Sequence, residues 1–212
     1  MKENTHRRIF CIGLSRTGTT SLHLALVALG YPAIHYPASI GMLWLQGDFS
    51  TRTTANYQAY SDIPTGIFFK QLHESHPEAL FIYTRRDPEA WANSVERHIS
   101  NTPPPSQYTI LRDYIRLSVY GTLKFTRNRF IDQYRNHEER VMSYFKDYPE
   151  RLLVLNIDDG LSWEPICSFL NEEIPNLKFP RATAPNIGNL QTVGPNNLER
   201  RREELRSMMY SQ

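Results

Sequence analysis

Near the start of the chain an apolar run, Ile9-Phe10-Cys11-Ile12, breaks into Gly13-Leu14-Ser15-Arg16-Thr17-Gly18-Thr19-Thr20-Ser21, a turn rich in hydroxyl side chains. Gly13 and Gly18 stand at the spacing of a phosphate-binding P-loop, but Thr19 and Thr20 follow where a nucleotidase has Lys and Ser/Thr. In such a turn the backbone N–H groups at the start of the next helix have no internal partner, so they point at an anion and the helix dipole reinforces them. The missing lysine is the group that reaches the outer phosphates of a triphosphate. The pattern therefore predicts a phosphate-type ligand other than ATP or GTP.

A second constellation is Arg85-Arg86-Asp87-Pro88, with Ser94 eight positions after Arg86. An arginine fork and a hydroxyl on the following helix suit a second phosphate group. Asp62, closing a short run before Ile63-Pro64, and His35 are further groups able to take a proton.

These residues need elements to hold them. The apolar run before Gly13 reads as a strand and the periodic stretch through Leu29, closed by Gly30, as a helix. Further strands are expected over 33–37, 59–63, 79–84 and 151–157. Further helices are expected within 39–60, over 68–76, 88–99 (capped by Asp87 with Pro88 first), 163–170 and 198–209. Residues 108–145 read as helical with a break near Gly121 or Asn136, 101–106 as a loop or lid, and 176–197 as irregular. Strands alternating with helices, the loop in the first strand-to-helix turn, predict an α/β fold: three layers, α/β/α, around a mainly parallel sheet. Ligands of such sheets lie outside the carboxyl ends of the strands. Residues 15–21, Asp62, 85–88 and Asp158 would meet there.

With 212 residues, 22% charged and 40% hydrophobic, the chain fits one ordinary domain, 1–212. Its net charge of +2 is too small to imply nucleic-acid binding. Cys11 and Cys167 make neither a disulfide scaffold nor a metal site. No apolar stretch approaches the roughly 18 residues that span a bilayer. The polar residues 1–8 leave no room for a signal peptide. A cytoplasmic protein without membrane or nucleic-acid partners is expected; oligomeric state is not indicated.

The two constellations together resemble the sulfotransferase superfamily, in particular a short bacterial-type branch, over roughly residues 8–180. Gly13-Leu14-Ser15-Arg16-Thr17-Gly18-Thr19-Thr20 is similar to its 5′-phosphosulfate loop, and Arg86-Asp87-Pro88 with Ser94 to its 3′-phosphate motif. The resemblance implies a P-loop NTPase-like sulfotransferase fold and an enzyme that takes a sulfuryl group from 3′-phosphoadenosine 5′-phosphosulfate (PAPS) to a hydroxyl or amine of a small molecule, without a metal. It implies that Ser15, Arg16, Thr17, Gly18, Thr19, Thr20 and Ser21 hold the 5′ end, with Arg16 in place of the usual lysine, and that Arg86 and Ser94 hold the 3′-phosphate. Asp62 is the first candidate for general base and His35 the second. Ser21 stands where many relatives carry an adenine-stacking Trp, and their late Arg-Lys-Gly motif has no counterpart; Arg181 and Arg200 to Arg202 are the available cations. Tyr36, Trp44, Tyr57, Tyr108 and Tyr114 are candidates to line the acceptor pocket. The alternatives are a P-loop kinase or nucleotidase with a lysine-less loop, and a non-catalytic nucleotide-binding protein.

Overall fold

The structure is a computed structural model that describes residues 7–100, 109–181 and 188–210. The readings for 1–6, for the 101–106 lid, for Tyr108 and for 182–187 lie outside the described residues.

Alternation at period two builds the centre. In β1 (Ile9–Cys11) the side chains of Ile9 and Cys11 enter one apolar cluster, while Phe10 and the following Ile12 enter another. β4 (Leu80–Arg85) divides in the same way, Leu80 and Ile82 against Phe81 and Tyr83. Both faces of these strands are buried, as a parallel sheet between helical layers requires. With β2 (Ala33–His35), β3 (Ala59–Ser61), β5 (Leu152–Asn156) and β6 (Thr192–Val193) the sheet has the order β5-β4-β1-β3-β2-β6. Every pairing is parallel except β2 with β6.

One layer contains α1 (Thr19–Leu29), α7 (Trp163–Leu170) and α8 (Leu198–Tyr210), packed on the Ile9 face. The other contains α2 (Ala38–Leu45), α3 (Phe69–Ser75), α4 (Pro88–Ser100), α5 (Thr109–Tyr120) and α6 (Arg127–Phe145). Asp87 caps α4 as expected, accepting the Ala90 amide at 2.8 Å. The break between α5 and α6 falls at Gly121, which takes φ 64, and Asn136 continues α6. The irregular reading of 176–197 is corrected at Thr192–Val193, which form the antiparallel edge strand.

The registers place the chemistry. His35 pairs with Ser61 and Cys11 with Ser61 and Ile82, so β1, β2 and β3 end level with one another, and β4 runs on beside β5 to Arg85. Along that edge, in sheet order, stand Asp158, Arg86, the loop over 13–18, Asp62 and His35.

Candidate functional site

The loop is shaped by close approach. A Cβ on Gly13 would collide with the Thr84 hydroxyl and come within 2.7 Å of the Thr84 carbonyl. Thr17 is fully buried; its hydroxyl donates to the Leu14 carbonyl at 2.7 Å and meets Thr84 Oγ1 at 2.8 Å. Trp91 donates its indole N–H to the Ser15 carbonyl at 3.0 Å. Gly18 takes φ 82 and offers α1 no side-chain cap, so the first-turn amides of α1 face the loop.

From this cradle the side chains fan out in two directions. Arg16 Nε donates to Ser94 Oγ at 3.1 Å, tying the loop to α4. On the other side Ser15 Oγ donates to Asp62 Oδ1 at 2.6 Å, and the same carboxylate oxygen accepts the Ile63 amide at 2.9 Å. His35 Nε2 lies 3.3 Å from Asp62 Oδ2 and 3.3 Å from Thr20 Oγ1, and its Nδ1 lies 3.1 Å from Ser61 Oγ. An ionised Asp62 selects the tautomer with the proton on Nε2, the Ser61 hydroxyl then donating to Nδ1.

Burial sets the proton affinities. It pushes the Asp62 carboxyl above its ordinary 3.8, against the Ser15 and Ile63 hydrogen bonds and the charges of His98 and Arg16, which pull it down. It pushes His35 down to about 4, so at neutral pH the ring is uncharged. Arg16, Tyr36 and Asp62, three of the non-glycine residues with left-handed backbone (φ 75, 53 and 71), all sit at these strand ends. Each conformation costs of order 1–2 kcal/mol and persists because the surrounding contacts over-determine it.

On the β5 side, Arg86 approaches Asp158 Oδ1 at 3.6 Å. The approach is made by Nε, which is buried and, among the described residues, has no partner within hydrogen-bond distance. Its backbone is held by Tyr134, whose hydroxyl accepts the Arg86 amide at 2.8 Å and donates to the Arg86 carbonyl at 3.0 Å. Asp158 accepts the Asp87 amide, and the adjoining Ile157 and Leu161 pack on Gly18. An arginine whose nearest carboxylate stands beyond hydrogen-bond distance and an uncapped helix start are both able to take an anion.

Residues 8–186 match the family described as Sulfotransferase domain. The chain belongs to the sulfotransferase family. A curated relative, the Ava biosynthesis cluster protein M of Aspergillus versicolor, is 26% identical over 220 residues, covering 87% of this chain and 84% of that one. The crystal structure of a sulfotransferase from Alicyclobacillus acidocaldarius superimposes with a TM-score of 0.52 at 11% identity, covering 97% of this chain and 96% of that one, which is a likeness of fold.

Within this sulfotransferase fold the strand ends bring Ser15, Asp62, His35 and Thr20 into one polar network, with the Arg16–Ser94 pair on the other side of the loop and Arg86 one strand away. His35 is placed differently from its expectation as a base: its side chain is 1% exposed, so an outside acceptor does not reach it. Arg201 and Arg202 are engaged by Glu204 and Glu199 on α8. Trp44 is enclosed among Phe49, Tyr60 and Phe68, which removes it from any acceptor wall. Arg85 pairs with Glu138 at 2.9 Å on the surface. Sequence reading missed Trp91 and Tyr134 as supports of the loop and of Arg86, and His98, which feels the charges of Arg16 and Asp62. The i,i+4 spacing of Ser94 and His98 on α4 was the available signal for His98. Among the described residues no group of three or more His, Cys, Asp or Glu side chains is arranged to hold a metal ion, and no helix is long and apolar enough to cross a membrane.

Proposed function

We propose that the chain transfers a sulfuryl group from PAPS to a hydroxyl or amine of a small molecule, with Asp62 as general base. The observation that carries this reading is the 2.6 Å hydrogen bond from Ser15 to Asp62, which fastens a buried carboxylate to the anion-binding loop itself. A proton acceptor and an anion cradle in contact are the two parts that sulfuryl transfer requires.

The donor supplies an activated sulfur whose bond to the 5′-phosphate oxygen breaks as the acceptor's bond to sulfur forms. The loop amides and Arg16 stabilise the charge that gathers on the departing phosphate oxygen. Asp62 takes the acceptor's proton at a carboxylate oxygen. His35 positions Asp62 and links it to Thr20, and Arg86 with Ser94 anchors the 3′-phosphate. Arginine and backbone amides supply positive field without a metal. Cys11 and Cys167, both free and buried, suit a reducing cytoplasm.

Incubation with PAPS labelled in the sulfuryl group and a panel of phenols, alcohols and amines tests the reading. Labelled product should form together with adenosine 3′,5′-bisphosphate, and Asp62→Asn should lower the rate by about 10²-fold or more. Undiminished transfer by Asp62→Asn would remove the base assignment.

A further inference from the structure

Apart from the strand-end site, three segments line one cleft of about 500 Å³, within the range of about 300–1,000 Å³ that small-molecule sites occupy. α6 contributes Gln133, Asn136, His137 and Arg140, whose i, i+3, i+4, i+7 spacing is that of a single helix face. α5 contributes Tyr114 and Ser118, one turn apart, and the approach to α3 contributes Ile67, Phe68 and Gln71. None of them belongs to the loop, to the Arg86 side or to the Asp62–His35 pair.

The buried polar member of this lining is His137, 4% exposed and packed on the rings of Phe69 and Tyr83. Its Nε2 stands 3.3 Å from the Ile12 carbonyl, which can only accept, so the ring proton sits on Nε2 and Nδ1 is a bare acceptor. Burial holds the ring uncharged at neutral pH; the Ile12 bond opposes this and the Arg140 charge adds to it. Among the described residues Nδ1 has no partner, which leaves an acceptor on a buried ring for whatever fills the cleft. Nor, among the described residues, does a side-chain hydrogen bond or ion pair occupy Gln71, Gln133, Asn136 or Arg140.

The lining selects a chemistry. Glu139 and Arg140 offset each other in charge, so no ion is preferred. A wholly apolar molecule would leave His137 Nδ1 and the amides unsatisfied. Amide side chains set donors beside acceptors, and a hydroxyl is the neutral group that donates and accepts at one atom. Ile67, Phe68, Val119 and the Tyr114 ring supply an apolar wall for the C–H face of a ring.

We propose that this cleft binds a neutral polyhydroxylated ring, a sugar or cyclitol, with one hydroxyl donating to His137 Nδ1 and others engaging the Gln133 and Asn136 amides. The site goes beyond sulfuryl transfer and does not depend on it.

The test titrates the isotope-labelled full chain with methyl β-glucopyranoside, methyl β-galactopyranoside and myo-inositol, followed by amide NMR. Cyclohexanol and cyclohexanecarboxylate are the apolar and anionic comparisons. At least one polyol should shift amides within 114–118 and 133–140 and bind about tenfold or more tightly than either comparison. Gln133→Ala/Asn136→Ala replaces two unburied side chains with a good helix former and should weaken that binding about tenfold. A thermal melt establishes that the variant folds. Saturating adenosine 3′,5′-bisphosphate should leave the titration unchanged. Absence of polyol binding at tens of millimolar, shifts confined to the loop and Asp62, displacement by the bisphosphate, or affinity untouched by the double variant each overturns the proposal. Tighter binding of cyclohexanol or of the carboxylate does so too.

Discussion

Asp62 carries the largest opposing demands of any residue in the site. Burial favours its neutral form, whereas the Ser15 and Ile63 donors and the charges of His98 and Arg16 favour the carboxylate. Its folded-state affinity for a proton lies above that of the unfolded chain, so its contribution to stability is fully present below about pH 3.8 and is lost as pH rises through the folded value. Asp62→Asn is therefore expected to raise Tm near neutral pH, an advantage that disappears below the unfolded value, while turnover falls. Calorimetric scans from pH 3 to 8 beside rate measurements check both halves. On the proposed reading Arg16 stabilises charge developing on the departing phosphate oxygen, so Arg16→Ala should lower kcat by about 10²–10³-fold. Arg16→Lys should recover part of the rate; steady-state kinetics would read a purely structural role as equal losses in both variants.

At the scale of elements, the site depends on helices that hold the loop and Arg86 from behind. Tyr134 of α6 bridges the Arg86 amide and carbonyl. Tyr134→Phe should cost about 1 kcal/mol of stability, seen as a lower urea midpoint. It should also weaken bisphosphate binding more than Tyr144→Phe, whose hydroxyl meets His73 away from the loop. The strands and helices themselves were legible because period-two and 3.6-residue patterns, Gly30, Asp87 and Pro88 mark them locally. β6 was not legible, because two residues have no period and Thr192–Val193 become a strand only through β2. The break at Gly121 rather than Asn136 was equally hidden: both residues tolerate a turn, and burial of Tyr134 and His137 on either side of Asn136 decides for continuity. In the site, spacing pointed to Arg16, Arg86 and Ser94, and Asp62 was singled out by its place at a strand end; the structure sets Ser94 against Arg16 and Asp62 against Ser15, whereas Arg86 faces Asp158. The His35–Asp62 contact was not legible, since it follows from β2 and β3 ending level.

At the scale of the whole molecule, the sheet buries neutral histidines that the unfolded chain would protonate. Desolvation lowers His23 to about 3, His35 to about 4 and His137 to about 4. A histidine with a depressed folded value contributes stability above its unfolded value near 6.5, and that contribution is lost as pH falls toward the folded value. Tm should accordingly fall as pH drops from about 6.5 to 4, with proton uptake on unfolding. His23→Gln, which keeps a polar partner for the Leu190 carbonyl, should flatten that dependence. The same sheet assembles the proposed donor site from ends of separate strands, with Arg86 after β4, the loop after β1 and Ser94 on α4. Donor recognition is thus a property of the folded whole, and it is measured directly by thermal shift with adenosine 3′,5′-bisphosphate against 5′-AMP. The account predicts a clear stabilisation by the bisphosphate, a much smaller one by AMP, and loss of the difference in Arg86→Ala. Equal shifts with the two nucleotides in the native chain would contradict it.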